Sequence, residues 1–225
     1  LVLWIAVLGS FVSFLDGTVI TVALPAIVDE LGGGISTQQW AVDSYMLTLG
    51  ALILVAGSIS DAYGRLRVLR WGLIGFGITS VVIAAAPTAE VLIGARLAQG
   101  AAGALLVPSS LALIMTHFRG TAQGRAIGTW TGATSAAMVV GPLVGGLFVD
   151  LASWRLAFLI NVLPIAVTLW LLARLGRMPD AVDRRAPNAR VDLTSAALAA
   201  LGLGGIVAAL ESVLGQSGIG AAEIG

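Results

Sequence analysis

Apolar stretches of membrane-crossing length, separated by short polar or glycine-bearing breaks, recur along most of the chain. They cover residues 2–23, 40–60, 68–86, 91–115, 126–149, 156–175 and 193–214. A helix needs about 20 mostly apolar residues to cross a bilayer, so the pattern predicts an all-α, polytopic membrane protein with seven spans. The breaks carry turn or cap chemistry: Pro25 followed by Gly32-Gly33-Gly34, then Tyr63-Gly64, Pro87-Thr88 and Arg119-Gly120. Only the polar run 176–190 is long. It reads as a cytoplasmic linker between a six-helix bundle, 1–175, and a seventh span with its outer end, 191–225. The first apolar run lacks a basic leader and carries Asp16, so it reads as a transmembrane helix rather than a signal peptide. A start at Leu1 and a glycine-rich end at Gly225 read as a fragment.

Composition sharpens this picture. Hydrophobic residues make up 58% of the chain and charged ones 11%, against roughly 45–50% and 25% in soluble domains. Twelve basic residues, all arginine, balance twelve acids, so net charge points to no nucleic-acid partner. Their placement is uneven. The even-numbered connections hold Arg65, Arg67, Arg70, Arg119, Arg125, Arg174, Arg177, Arg184, Arg185 and Arg190, whereas the odd-numbered ones hold Arg155 with Asp29, Glu30, Glu90 and Asp150. Arginine-rich short loops stay cytoplasmic, so the amino terminus is expected there, in a multi-pass protein of the cell (plasma) membrane. Trp40 and Trp154 fall at outer ends and Trp4, Trp71, Trp130 and Trp170 at inner ends, where interfacial anchoring is the plain reading.

Two ionisable residues lie well inside spans. A charge at a helix centre costs about 2.5–3.5 kcal/mol on insertion scales, so Asp16 and Arg96 should face the bundle interior. Asp16 lies roughly 10 Å and Arg96 roughly 8 Å below the same outer face, at 1.5 Å per helical residue, and an interaction between them, direct or through water, is expected. One role for the pair is a fixed staple between two helices. The other is proton coupling, in which protonation of Asp16 loosens the pair.

The fifth span contains Gly128, Gly132, Gly141-Pro142 and Gly145-Gly146. Small residues at i and i+4 allow close helix contact, and proline promotes a bend. The loop after the second span, Asp61-Ala62-Tyr63-Gly64-Arg65-Leu66-Arg67, sets an acid and two bases at a helix terminus, as a topological anchor or a gating element. An internal echo links Gly57, Asp61 and Arg65 with Gly146, Asp150 and Arg155, the second spacing being one residue longer. It points to two three-helix copies in opposite orientation, 1–86 and 91–175.

Five stretches carry a resemblance. Leu15-Asp16-Gly17-Thr18-Val19-Ile20-Thr21-Val22-Ala23-Leu24-Pro25 resembles the first-helix motif of the fourteen-helix drug:proton antiporters of the major facilitator superfamily. The segment from Gly57 through Asp61, Gly64 and Arg65 to Arg67 resembles the superfamily's loop motif, a gating element. Leu92-Ile93-Gly94-Ala95-Arg96-Leu97-Ala98-Gln99-Gly100 resembles its helix-four motif, whose arginine is linked to proton coupling. Gly141-Pro142-Leu143-Val144-Gly145-Gly146 resembles the antiporter motif of helix five, and Trp154-Arg155 through Asn161 and Pro164 the start of helix six. Ala62 and Leu66 stand where the loop motif usually has basic residues, and Thr21 where the subgroup often has Asn.

The resemblance implies a proton-coupled efflux antiporter for small amphiphilic or cationic compounds. Its expected partners are the substrate, protons, lipid and a carboxyl-terminal half that this chain lacks. A facilitator-type symporter or uniporter for sugars or organic acids is the alternative, disfavoured by the Gly-Pro motif. A receptor or membrane enzyme would need a retinal-type lysine, a metal-ligand cluster or a phosphate site. The chain has no lysine, no cysteine and one histidine, so no enzyme activity, metal or cofactor is expected. Asp43 and Tyr45 sit just inside an outer end and Glu211 near another, where reaching for water explains each as well as substrate binding does. Asp192 reads as a helix cap, and His117 as a solvated surface residue.

Overall fold

The computed structural model describes residues 1–176 together with Leu198 and Gly202. The polar run beyond Gly176 and, apart from those two positions, the seventh span lie outside the described residues. In chain order the helices are α1 (Val2–Leu31), α2 (Gly34–Tyr63), α3 (Arg65–Ala84), α4 (Ala89–His117), α5 (Gly120–Leu151), α6 (Trp154–Leu159) and α7 (Val162–Leu175). Among the described residues there is no strand, and six helical segments are long and apolar enough to cross a membrane, α6 and α7 together forming the sixth.

The helices outrun the apolar stretches. α1 continues past residue 23 to Leu31 and α2 begins at Gly34, not near Trp40. Pro25, expected in a linker, lies inside α1. A hydropathy count stops where Pro25, Asp29 and Glu30 dilute the apolar run, but helical hydrogen bonding continues through them. The reversal is made at Gly32, Gly33 and Gly34, with φ of 76°, 85° and 57°, a left-handed region that glycine enters without steric cost. Asp16 therefore lies fifteen residues, about 22 Å, from the end of α1, deeper than the apolar count implies.

The break between α6 and α7 has a covalent cause. Pro164 has no N–H to offer the carbonyl of Ile160, and that oxygen is bonded instead by the amide of Leu163 at 3.3 Å. The turn so formed holds Ile160 and Asn161.

α1 packs along α5, α2 along α4 and α3 along α4, while α1 also crosses α4 and the α6–α7 span lies against α1 and α3. Contact is close where side chains vanish. A Cβ on Gly141 would strike the Thr18 side chain and come within 3.2 Å of the Leu15 carbonyl, and one on Gly145 would meet Val22 at 2.9 Å. A Cβ on Gly100 would collide with Thr48 and the backbone of Tyr45. The two larger apolar clusters lie around Ile20, Ile27, Leu92 and Phe158 and around Leu69, Leu73, Phe76 and Leu106, with a small third at Ala6, Ile114 and Ala126. The charged residues lie where the helices of both clusters cross.

Candidate functional site

At that crossing Asp16 and Arg96 are in direct contact, Arg96 Nη1 donating to Asp16 Oδ2, with both side chains wholly buried. They meet although the apolar count misjudged the depth of Asp16. A bare ion pair at this depth would be hard to stabilise, since desolvation can exceed the mutual attraction unless further hydrogen bonds satisfy both ions. The surroundings supply all but one of them, Arg96 Nη2 being buried without a hydrogen-bond partner. Asp16 Oδ1 accepts from Asn161 Nδ2 at 2.7 Å and from Gln99 Nε2 at 3.2 Å. Arg96 Nη1 also donates to Gln99 Oε1 at 2.7 Å, and its Nε to the Ala41 carbonyl at 3.0 Å. Ser80 Oγ accepts from Gln99 at 2.9 Å. The guanidinium lies 4.3 Å from the Tyr45 ring centre and 5.9 Å from that of Phe158, within the roughly 6 Å reach of a cation–π contact.

Tyr45 is the residue the sequence placed wrongly. Reaching for water and binding substrate were its two expected roles, and at 2% exposure it does not reach water. Because α2 starts at Gly34, Tyr45 sits three turns into the helix rather than near its end. Its hydroxyl bonds Ser13 Oγ at 2.7 Å, and its ring forms part of the wall of a cavity of about 330 Å³. Ser13, Gly17 and Thr18 of α1, Met46 and Leu49 of α2, Val107 of α4 and Met138 of α5 complete most of that wall. Tyr45 thus touches the cavity on one side and Arg96 on the other. Asp43 is half-buried.

The remaining candidates divide. Gly141 and Gly145 face α1 beside Asp16, whereas a Cβ on Gly128, Gly132 or Gly146 would meet nothing within 4 Å. Pro142 lies inside α5. In the loop, Asp61 pairs with Arg65 at 3.0 Å, Arg65 Nη1 reaches the Ala112 carbonyl at 3.4 Å, and Gly64 turns the chain at φ 96°. Gly57 has open space beside it and Arg67 is exposed. This loop is remote from the buried pair and belongs to the other end of α2. His117 is exposed. Among the described residues no group of three or more His, Cys, Asp or Glu could hold a metal ion.

Trp154, expected as an interfacial anchor, is buried at 2% exposure. Its Nε1 donates to Glu30 at 2.8 Å, and Arg155 pairs with Glu30 at 2.6 Å while donating to the Ala86 carbonyl at 3.2 Å. The ends of α1, α3 and α6 are clasped together there. Trp4, Trp71 and Trp170 are exposed, as membrane anchors are.

Gln99, Asn161 and Ser80 carry the network, and polarity alone marked none of them as partners of Asp16. Gln99 and Asn161 stood within stretches that carry the family resemblance, and Ser80 had no signal but a hydroxyl within an apolar span.

The family model described as Major Facilitator Superfamily matches residues 6–220. The chain belongs to the major facilitator superfamily. It is 39% identical over 196 residues to the puromycin resistance protein pur8 of Streptomyces alboniger, covering 86% of this chain and 37% of that one. It is 41% identical over 159 residues to the multidrug efflux pump LfrA of Mycolicibacterium smegmatis, covering 70% of this chain and 31% of that one. The chain therefore spans about a third of the length of these curated relatives. In fold it is similar to a crystal structure of the peptide transporter POT in complex with sulfate, with a TM-score of 0.72, 16% identity and coverage of 99% of this chain and 47% of that one. As a superfamily member with six membrane-length helices it is a multi-pass membrane protein.

Proposed function

We propose that this chain is the amino-terminal portion of a proton-coupled exporter of small amphiphilic or cationic compounds. One observation carries the reading: the Tyr45 side chain that lines the apolar cavity also lies against the guanidinium of the buried Asp16–Arg96 pair. The cavity takes an amphiphile, and the carboxylate takes a proton. Protonation removes the charge that holds Arg96, so the pair loosens and the helices that carry it, α1 and α4, are freed to shift. An organic cation in the cavity and a proton on Asp16 compete for the same negative field. The membrane potential contributes about 2.3 kcal/mol per elementary charge per 100 mV.

The names of the relatives, a puromycin resistance protein and a multidrug efflux pump, support export. The close seat of Gly141 and Gly145 on α1 supports antiport over the symport or uniport of sugars or organic acids, because it ties α5 to the turn that carries Asp16. The role is transport and not catalysis. The arginine bias supports a cytoplasmic amino terminus in the plasma membrane. The pairing of α1 with α5 and of α2 with α4 supports two three-helix copies of opposite orientation, since exchanging the copies exchanges those pairs. A carboxyl-terminal half completes the cavity. The exposed Met138, Val139 and Leu143 of α5 and Met46 and Leu54 of α2 are available to it and to lipid.

The test is proton release from energised vesicles carrying the full transporter on adding ethidium. Asp16→Asn and Arg96→Ala are expected to abolish ethidium-driven proton release. Undiminished release in Asp16→Asn would end the reading.

A further inference from the structure

Asn161 occupies the α6–α7 break and bonds Oδ1 of Asp16, whereas Arg96 bonds Oδ2. Its Nδ2 donates to Asp16 Oδ1 at 2.7 Å and lies 3.5 Å from Ser80 Oγ. Its own carbonyl oxygen, Oδ1, is buried and has no hydrogen-bond partner. Buried polar groups are nearly always satisfied, and an exception calls for a physical reason. Here the reason lies in the chemistry of the carboxyl group it faces. A carboxylate only accepts hydrogen bonds, whereas a carboxylic acid must also donate one.

We propose that Asn161 is a positioning residue whose carboxamide turns over when Asp16 takes up a proton, passing the protonation state of Asp16 to the α6–α7 break. The inference rests on the proton-coupling reading of Asp16. With Asp16 ionised, Nδ2 faces it and Oδ1 waits unpaired. When the proton lands on Asp16 Oδ1, a half-turn of the amide brings Asn161 Oδ1 into the place of Nδ2, where it accepts from the new O–H. Ser80 follows without strain, because a hydroxyl both donates and accepts. Gln99 is less free to turn: its Oε1 accepts from Arg96 and its Nε2 donates to both Asp16 and Ser80. Asn161 alone of the two amides has an end to spare.

Its position gives the turn a consequence. The α-helical pattern is interrupted at Ile160 and Asn161: the Asn161 amide and the Ile160 carbonyl make i+3 bonds, to the Phe158 carbonyl and the Leu163 amide, while the Ile160 amide and the Asn161 carbonyl keep their i+4 bonds. A change in side-chain bonding at this point acts where the helix of the sixth span is already interrupted. The charged and titratable groups facing Asp16 are Arg96 of α4 and, beyond it, Tyr45 of α2. α3 presents Ser80 and α5 packs there through Gly141, neither of which titrates.

The chain holds two asparagines, Asn161 and Asn188, so carboxamide carbon-13 labelling of asparagine reads the switch directly. The labelled chain is placed in lipid nanodiscs and its Asn161 signal assigned by its loss in Asn161→Ser. Protonation of Asp16 is followed in parallel by the carboxylic-acid band in pH-difference infrared spectra, identified by its loss in Asp16→Asn. The expected result is a shift of the Asn161 signal over the same pH interval as the Asp16 band, with no shift in Asp16→Asn. An Asp16 band that titrates while the Asn161 signal stays still overturns the switch and leaves Asp16 as the proton site. Absence of any Asp16 titration while the chain remains folded overturns both.

Discussion

Tyr45 lines the apolar cavity, and its ring centre lies 4.3 Å from the guanidinium carbon of Arg96. Whatever fills the cavity therefore presses on a side chain that also holds the buried cation. The two halves of Tyr45 do separable jobs. The hydroxyl bonds Ser13 and the ring faces Arg96.

Tyr45→Phe keeps the ring and loses the hydroxyl bond, for an expected cost of about 0.5–1.5 kcal/mol. Tyr45→Leu loses the cation–π contact as well, worth about 2 kcal/mol when desolvated, and is expected to unfold at distinctly lower temperature in detergent. Equal melting temperatures for the two variants would show that the ring does not stabilise Arg96.

Asp16 and Arg96 are expected to be strongly non-additive. Removing Arg96 alone strands a buried carboxylate, for about 3–5 kcal/mol. Asp16→Asn combined with Arg96→Leu removes both charges together and is expected to cost less than the sum of the single changes. A double-mutant cycle on denaturant unfolding in micelles measures the coupling, and a coupling energy near zero would contradict the observed contact.

Glycine substitutions along α5 should sort by face. Gly141→Ala drives a methyl group into Thr18 and the Leu15 carbonyl, so α1 and α5 must separate beside Asp16, lowering both stability and ethidium transport. Gly128→Ala meets open space and is expected to stabilise the helix by about 0.5–1 kcal/mol. Parallel thermal unfolding of the two variants decides the matter, and similar outcomes would place α5 differently.

Glu30 joins Arg155 and Trp154 across the ends of α1 and α6. Glu30→Gln keeps an acceptor for the Trp154 indole but removes the ion pair. The tryptophan emission is expected to change little, while salt dependence of stability falls, because exposed pairs are screened at high ionic strength. A variant as salt-sensitive as the parent would mean that the pair contributes nothing.

Much of the fold was legible because the bilayer imposes a coarse rule. Spans, their order and the burial of Asp16 and Arg96 follow from the cost of exposing charge or unpaired backbone to hydrocarbon. Helix ends were less legible. Pro25, Asp29 and Glu30 lower the hydropathy without ending α1, and Gly32 to Gly34, with their positive φ, end it instead. The misplacement of Tyr45 followed from that error, since its depth is counted from the start of α2. Trp154 failed for another reason: an indole at a helix end is satisfied equally by headgroups or by a neighbouring carboxylate, and only the approach of Glu30 chooses.

By itself the sequence determined a multi-span helical membrane protein, the family and the two charged residues that must face inward. Each follows from residue type and spacing along one dimension. Tertiary structure alone decided that Gln99 and Asn161 bond Asp16 with Ser80 behind them, that Tyr45 meets both Arg96 and the cavity, and that Gly141 and Gly145 rather than Gly128 or Gly132 touch α1. Those facts depend on how each helix is rotated about its axis. With hydrophobic residues on nearly every face, no amphipathic stripe records that rotation in the chain, and only the packing of glycines and the pairing of buried polar groups set it.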